Sequence, residues 1–235
     1  MGLPIQRAPK HKCELSDGTI VTYRPFLVKE QKYLLLAKEG KSSVEILAAI
    51  REVIKSVTEG KINSDNIAMF DLEYLFLQIR SKSIGETQEV ELMCDQPECV
   101  GIGKVTIDLS EVRVKYPEEK ISTTVHLTDT LGVTLRYPTA KQLASAEDVE
   151  SEGDKLVHLL KFGIETIFDE ETVYDTDDVK DEELVEFVEN LTLEQVDKLN
   201  VFFENIPTLQ HTLEYECESC HTINETTLKG LQSFF

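Results

Sequence analysis

Two pairs of cysteines constrain the fold of this 235-residue chain more than any other feature of its sequence. Cys94 and Cys99 have C-x4-C spacing, and Cys217 and Cys220 have C-x2-C spacing. Each pair lies between two strand-like segments, so we expect each to form a tight turn that points two thiolates the same way. Two such turns facing each other would place four sulfur atoms at tetrahedral positions, which suits zinc at about 2.3 Å per bond. The pattern therefore predicts a structural zinc site that joins the two halves of a ribbon.

The cysteine pattern leaves alternatives open. C-x2-C is the standard spacing for zinc, whereas C-x4-C is allowed but looser. His221 follows Cys220 and could replace a cysteine as a ligand. The four residues could also be buried free cysteines without a metal. Four protein ligands would leave no open position for catalysis, and the fifth cysteine, Cys13, is predicted to belong to the core.

Hydrophobic periodicity and turn residues predict a mixed α+β fold. We expect an N-terminal hairpin around Asp17-Gly18, helices, zinc-ribbon-like β hairpins and an acidic helical insertion. A capping box is expected at Ser42 with Glu45 and another at Thr192 with Gln195. The chain is predicted to form a single compact unit over residues 1–235, with parts at 1–86 (hairpin and helices), 87–139 and 207–235 (β-rich ribbon), and 140–206 (insertion).

Residues 147–204 contain 20 acidic residues and only 4 lysines. The pattern predicts helices over residues 154–168 and 181–190 and a third that begins at Thr192. Residues 169–178 show no periodicity and are predicted to form an exposed acidic loop. The carboxylates lie mainly off the apolar stripes, so a solvated face is the simplest explanation of the charge.

The charge balance excludes some kinds of partner. The chain has 44 acidic residues against 24 lysines and arginines, a formal net charge of −20. Such a charge repels phosphate backbones and anionic membranes and favours basic protein partners. The basic residues near Lys10 and Lys12, and Arg80 with Lys82, do not offset it, so neither a nucleic acid nor a membrane is expected as a partner. Absence of a signal segment and the cysteine spacing indicate a reduced, intracellular protein.

Catalytic motifs are not recognised in the sequence. It contains no phosphate-binding G-x-x-x-x-G-K-[ST] loop, no G-x-S-x-G elbow and no H-E-x-x-H helix. His11, His126, His158, His211 and His221 show no metal-binding spacing among themselves. The sequence therefore predicts a protein that is not an enzyme.

Four sequence blocks together resemble the baseplate protein family of T-even-type phages. They occur in the same order as in that family and extend from residue 23 to residue 235. The blocks are YRPFLVKE at 23–30, FDLEYLFLQIRSKSIGE at 70–86, LTDTLG with RYP between residues 127 and 138, and LKGLQSFF at 228–235.

The resemblance implies a late, non-enzymatic viral tail protein that builds the central hub of the contractile-tail baseplate. Such a protein acts in the host cytoplasm as a hub subunit or an assembly chaperone, and either remains in the virion or leaves before completion. Its expected partners are other phage hub or tail proteins, and the resemblance leaves open an oligomer within a hub complex. Candidate contact regions are the acidic segment of residues 147–204 and the tail residues Phe234 and Phe235. The alternative function is a zinc-ribbon adaptor or regulator that docks on a transcription complex.

Overall fold

The computed structural model describes residues 8–40, 42–119, 121–147, 149 and 151–234. Within these residues it contains seven α-helices and eleven strands in small antiparallel sheets, which confirms the mixed α+β class. No helix in the described ranges has the length and apolar character needed to cross a membrane. The chain divides into two compact units.

The first unit takes its described residues from Met1–Ser64, Phe70–Lys115 and Thr208–Phe235. Its elements are β1 (His11–Glu14), β2 (Ile20–Tyr23), α1 (Val28–Gly40), α2 (Ser43–Val57), α3 (Met69–Ile84), β3 (Thr87–Met93), β4 (Ile102–Asp108) and β5 (Arg113–Lys115). Closer to the C-terminus, β10 (Thr208–Glu216), β11 (Ile223–Lys229) and a 3₁₀ turn (Leu231–Phe234) complete it. Strands β1–β2 and β3–β4 form two hairpins, and β10 pairs with both β11 and β5.

Helix α3 supplies much of the core of the first unit. Its apolar residues Leu72, Leu75, Phe76 and Ile79 are buried. Leu77, on another side of the helix, is buried as well, so α3 is enclosed on most sides. The N-terminal hairpin is tied to α3 because the backbone N–H of Ser16 donates to Asp71 at 3.0 Å. The predicted hairpin at Asp17-Gly18 forms, with Gly18 at a φ of +82°.

A buried carboxylate fixes the start of α1. Glu30 is 1% exposed and accepts hydrogen bonds from Arg24 at 2.8 Å, from the Ser56 hydroxyl at 2.7 Å and from the Leu27 backbone N–H at 2.7 Å. Burial by itself raises the pKa of Glu30, but these hydrogen bonds outweigh it and lower the pKa to about 2. The folded first unit therefore stabilises Glu30 in its charged form.

The C-terminal tail packs into the first unit. Phe234 is fully buried. The backbone N–H of Leu231 donates to Glu73 of α3 at 3.2 Å, which anchors the 3₁₀ turn. Of the two aromatic residues proposed as a partner contact, Phe234 thus lies in the core of its own chain, while Phe235 lies outside the described residues.

The second unit comprises Asp65–Met69 and the described residues of Tyr116–Pro207. Its strands β6 (Thr124–His126), β7 (Gly132–Leu135), β8 (Ile164–Phe168) and β9 (Val173–Asp175) form one antiparallel sheet in sequential order. Its helices are α4 (Ala140–Glu147), α5 (Glu152–Gly163), α6 (Asp181–Glu189) and α7 (Leu193–Phe203). Its core joins sheet and helices through Leu127, Val133, Leu135, Leu160, Ile164, Val188, Leu199 and Phe202.

Strand β8 corrects the prediction of one helix over residues 154–168. Helix α5 ends at Gly163, and Ile164–Phe168 pairs with β7 instead. The β-branched residues Ile164, Thr166 and Ile167 favour a strand. A Cβ at Gly163 would lie 2.2 Å from the ring of Phe203, so a larger residue does not fit there without a shift.

Two further elements differ from the sequence-based expectation. The predicted acidic loop at residues 169–178 contains β9, which pairs with β8. Helix α4 was not predicted, although Thr139 and Gln142 exchange hydrogen bonds at 2.9 and 3.3 Å as a capping box does. The predicted insertion starts at residue 140, whereas the continuous part of the second unit starts at Tyr116 because β6 pairs with β7, which in turn pairs with β8.

Candidate metal centre

The four cysteines predicted as ligands lie together in the first unit. The Sγ atoms of Cys94, Cys99, Cys217 and Cys220 all lie within 4.8 Å of one another, and none forms a disulfide. Two of the distances run between the hairpins: 3.6 Å from Cys94 to Cys220 and 3.7 Å from Cys99 to Cys217. A regular tetrahedron with metal–sulfur bonds of about 2.3 Å has sulfur–sulfur edges of ~3.8 Å. The cluster is therefore compatible with zinc.

The first pair of thiols belongs to the turn between β3 and β4. Cys94 follows the last residue of β3, and its backbone N–H donates to the carbonyl of Gly101 at 2.9 Å. A second hydrogen bond inside the turn, from the N–H of Cys99 to the carbonyl of Gln96 at 3.0 Å, folds the four intervening residues back. The longer C-x4-C spacing thus still brings both sulfur atoms to the same side.

The second pair belongs to the turn between β10 and β11. The N–H of Cys217 donates to the carbonyl of Thr222 at 3.0 Å, and the N–H of His221 donates to the carbonyl of Cys217 at 2.9 Å. His221 has a φ of 57°, in the left-handed region. This conformation closes the turn just beyond Cys220.

Backbone N–H groups point at one sulfur of each pair. Gly101 donates to Sγ of Cys99 at 3.4 Å, and Ser219 donates to Sγ of Cys217 at 3.4 Å. In each case the donor lies two residues after the cysteine. Such hydrogen bonds stabilise a thiolate and fix its orientation toward a metal.

Two glycines allow the hairpins to approach each other. A Cβ at Gly101 would lie 2.6 Å from Oγ of Ser219 and 2.7 Å from Sγ of Cys217. A Cβ at Gly103 would lie 2.5 Å from the ring of Tyr215 and 2.6 Å from the carbonyl oxygen of Glu216. Real Cβ atoms do not approach other atoms this closely, so both positions need glycine for the observed packing.

Besides the sulfur–sulfur contacts, four hydrogen bonds among the described residues connect the hairpins beside the cluster, one of them from Sγ of Cys94 to Oδ1 of Asn224 at 3.7 Å. The N–H of Glu218 donates to the carbonyl of Ile102 at 2.9 Å, and the N–H of Asp95 donates to Oδ1 of Asn224 at 3.2 Å. The phenol of Tyr215 donates to the carbonyl of Met93. Nothing in the sequence pattern points to Asn224, Tyr215 or the two glycines, since only the contact between distant segments reveals their role.

The thiols of the cluster differ in acidity. Hydrogen bonds from the hydroxyl and backbone N–H of Thr222 lower the pKa of Cys220 to about 6. The N–H of Gly101 by itself lowers the pKa of Cys99, but burial and the hydrogen bonds of neighbouring thiols outweigh it and raise the pKa to about 12. Four thiolates this close repel one another, so full deprotonation at neutral pH requires a cation among them.

The two other candidate residues lie outside the cluster. His221 is exposed, and its Nδ1 lies 2.8 Å from a carboxylate oxygen of Glu216. Cys13 is buried in β1, as predicted, and burial raises its pKa to about 11. The geometry thus favours the four cysteines over a set in which His221 replaces one of them.

The family model described as T4 bacteriophage base plate protein matches residues 8–235. No curated protein and no solved structure shows significant similarity to the chain. The family match covers both units and includes all four clustered cysteines. The chain therefore belongs to the T4 bacteriophage base plate protein family.

Proposed function

We propose that this protein acts in assembly of the central hub of the baseplate, as a hub subunit or as a chaperone that binds other hub proteins. The family match over residues 8–235 carries the proposal, because a baseplate structural protein works through contacts with its neighbours in the tail. The proposed partners are phage baseplate hub or tail proteins, and the proposed place of action is the host cytoplasm.

The edge of the second unit's sheet is the proposed contact surface. Strand β9 is the last strand of that sheet, and its Val173 and Tyr174 side chains are exposed. The exposed carboxylates of Asp178 and Glu182 follow within ten residues of β9. Apolar side chains next to negative charge fit a partner that presents a basic surface, and they favour rapid, salt-sensitive association.

The structure indicates which acidic residues give a clean test of this surface. Oδ1 of Asp177 pairs with Arg136 at 2.9 Å, and Oδ1 of Asp175 accepts the N–H of Asp177 at 2.9 Å. Lysine at either position would disturb the local structure as well as the surface charge. Lysine at Asp178 and Glu182 changes the surface charge with less effect on that loop.

Genetic removal of the protein tests the proposed role in assembly. A phage with a stop codon in this gene is expected to yield infected cells without complete baseplates, as seen by electron microscopy, and expression from a plasmid is expected to restore them. Mass spectrometry of purified virions then separates the two forms of the proposal, because a subunit remains in the particle and a chaperone does not. Normal baseplates in the mutant infection would refute the proposal.

Charge variants test the proposed surface. In infected cells, an affinity-tagged chain is expected to retain hub proteins, with retention decreasing as salt increases. Asp178→Lys with Glu182→Lys should weaken that retention. The control, Glu89→Lys with Glu225→Lys, makes the same change in net charge at exposed positions of the first unit. Equal retention by both double variants would refute the role of the acidic surface.

The cysteine cluster favours one alternative, a zinc-ribbon adaptor that docks on a transcription complex. Its four sulfur atoms lie between two hairpins, as in zinc ribbons. The same affinity experiment separates the alternatives: recovery of RNA polymerase subunits in place of hub proteins would favour the adaptor.

A further inference from the structure

We propose that the chain binds one zinc ion through the thiolates of Cys94, Cys99, Cys217 and Cys220, and that this ion locks the β3–β4 hairpin to the β10–β11 hairpin. The proposal is independent of the role in hub assembly. Its basis is the convergence of four sulfur atoms within 4.8 Å of one another from turns more than 100 residues apart in the chain.

The arrangement of the sulfur atoms favours a shared ion over two disulfides. The short distances, 3.6 and 3.7 Å, each join one hairpin to the other and match the ~3.8 Å edge of a zinc tetrathiolate. Sulfur atoms in a disulfide are about 2.05 Å apart. All four thiols also lie at mutual distances that one ion can span, whereas disulfides require only that the sulfurs lie close in pairs.

The donor set identifies the class of metal. Thiolates are soft ligands that select zinc or iron over magnesium and calcium, and a tetrahedral set of four sulfurs fits either. For a given site, zinc generally binds more tightly than ferrous iron. The N–H groups of Gly101 and Ser219, each 3.4 Å from a thiolate sulfur, disperse the negative charge that four thiolates bring.

The lock is expected to matter because few other contacts join the hairpins at this end. Besides the packing at Gly101 and Gly103, four hydrogen bonds among the described residues cross between them near the cluster, and one of these uses the Cys94 thiol itself. On binding, those of the four thiols that still carry a proton release it to solvent, and zinc with four protein ligands has no open position for catalysis. The ion is therefore structural.

Metal analysis of the full-length chain tests the proposal. The protein is purified under reducing conditions, incubated with zinc sulfate and dialysed into metal-free buffer, and its metal content is measured by mass spectrometry. One zinc per chain is expected, and cobalt chloride added to the metal-free chain should give the absorption of tetrahedral cobalt with thiolate ligands. No retained metal together with no such absorption would overturn the proposal, and retained iron in place of zinc would overturn the identity of the ion.

Variants test the ligand assignment. Cys94→Ser and Cys217→Ser should weaken zinc binding more than ~100-fold, because even changes to residues behind the ligands lower metal affinity by ~10–100-fold. The matched control, His221→Ala, should retain zinc, since the imidazole contacts Glu216 instead of the sulfur cluster. Zinc loss in His221→Ala with zinc retention in Cys94→Ser would overturn the assignment.

A stability measurement tests the lock itself and does not depend on the folding of the cysteine variants. Wild-type protein with zinc should exchange the amide hydrogens of β4 and β10 more slowly than the reduced, metal-free protein. If the zinc-bound and the metal-free protein exchange these amide hydrogens at the same rate, the ion does not hold the hairpins together.

Discussion

Replacing Gly103 with alanine should separate the two hairpins and destabilise the first unit. The added Cβ would lie 2.5 Å from Cδ2 of Tyr215 and 2.6 Å from the carbonyl oxygen of Glu216. Carbon atoms in normal contact are ~3.5–4.0 Å apart, so about 1 Å of additional separation is needed. The tyrosine ring can turn, but the carbonyl of Glu216 is backbone, so β4 must move relative to β10.

The expected loss follows from two opposing contributions. Overpacking in a close contact costs ~1–3 kcal/mol, and the upper end applies where backbone atoms must move. Alanine has less conformational entropy than glycine in the unfolded chain, which stabilises the folded protein by ~0.4–1 kcal/mol. The net destabilisation is therefore ~2 kcal/mol, equivalent to a decrease of ~4–8 °C in melting temperature at ~2–4 °C per kcal/mol.

Far-ultraviolet circular dichroism during thermal unfolding is the appropriate assay, because the chain contains no tryptophan. Gly153→Ala is the matched control: its Cβ would meet only Oγ of Ser151, at an ordinary 3.7 Å, in the first turn of α5. That variant should be neutral or up to ~1 kcal/mol more stable. If Gly103→Ala melts at or above the wild-type temperature, glycine is not what permits the hairpins to approach.

Three further predictions concern other parts of the chain. The pKa of Glu30 is lowered from 4.5 to about 2 in the folded protein, so its charge stabilises the fold above pH 4.5. This stabilisation is lost as the pH falls toward 2. At 1.36 kcal/mol per pKa unit, the loss in free energy of unfolding is ~3 kcal/mol. Urea unfolding across this range should show a steeper loss in wild type than in Glu30→Gln, and parallel curves would contradict the role of Glu30. Phe234→Ala should lower the free energy of unfolding in urea by ~3–5 kcal/mol because the ring is fully buried. The control Gln232→Ala, at an exposed position, should leave it unchanged. If both variants are as stable as wild type, the tail does not pack as described. Thr192→Ala removes the capping box of α7 and should lower the free energy of unfolding by ~1 kcal/mol, whereas Thr192→Ser keeps a capping hydroxyl and should not. If the two variants melt at the same temperature, the cap does not stabilise α7.

Local features of the sequence predicted the elements whose structure is determined locally. Asp17-Gly18 predicted the first hairpin, because glycine there has the positive φ that the turn requires. The pattern of Thr192 and Gln195 likewise predicted the start of α7 and its two reciprocal hydrogen bonds. In both cases the interacting residues lie within a few positions of each other.

Strand β8 could not be predicted in this way because its structure depends on distant pairing. The apolar residues Leu160, Ile164 and Ile167 fit helical spacing, yet only the first belongs to a helix. Pairing with β7 supplies the hydrogen bonds of Ile164–Phe168 and determines the outcome. Helical periodicity alone contains no information about that partner strand.

The candidate metal centre likewise combines features that depend on nearby residues with features that depend on distant contacts. Cysteine spacing was sufficient to predict which four thiols come together, because sulfur pairs in turns are a local pattern. The residues that let the two turns meet, such as Gly103 and Asn224, are separated from their contacts by more than 100 residues. Their contribution depends on the close packing of two surfaces, which spacing does not encode.

The separation of the two cysteine turns also determines when the ribbon can form during synthesis. Cys99 and Cys217 are 118 positions apart, so ribosomes adding ~5–20 residues per second need roughly 6–24 s to deliver the second turn after the first. During that interval the nascent chain presents a hairpin with two thiols and no partner hairpin. Closure of the ribbon, and capture of any ion that all four sulfurs share, therefore cannot precede synthesis of the hairpins and helices between residues 100 and 216.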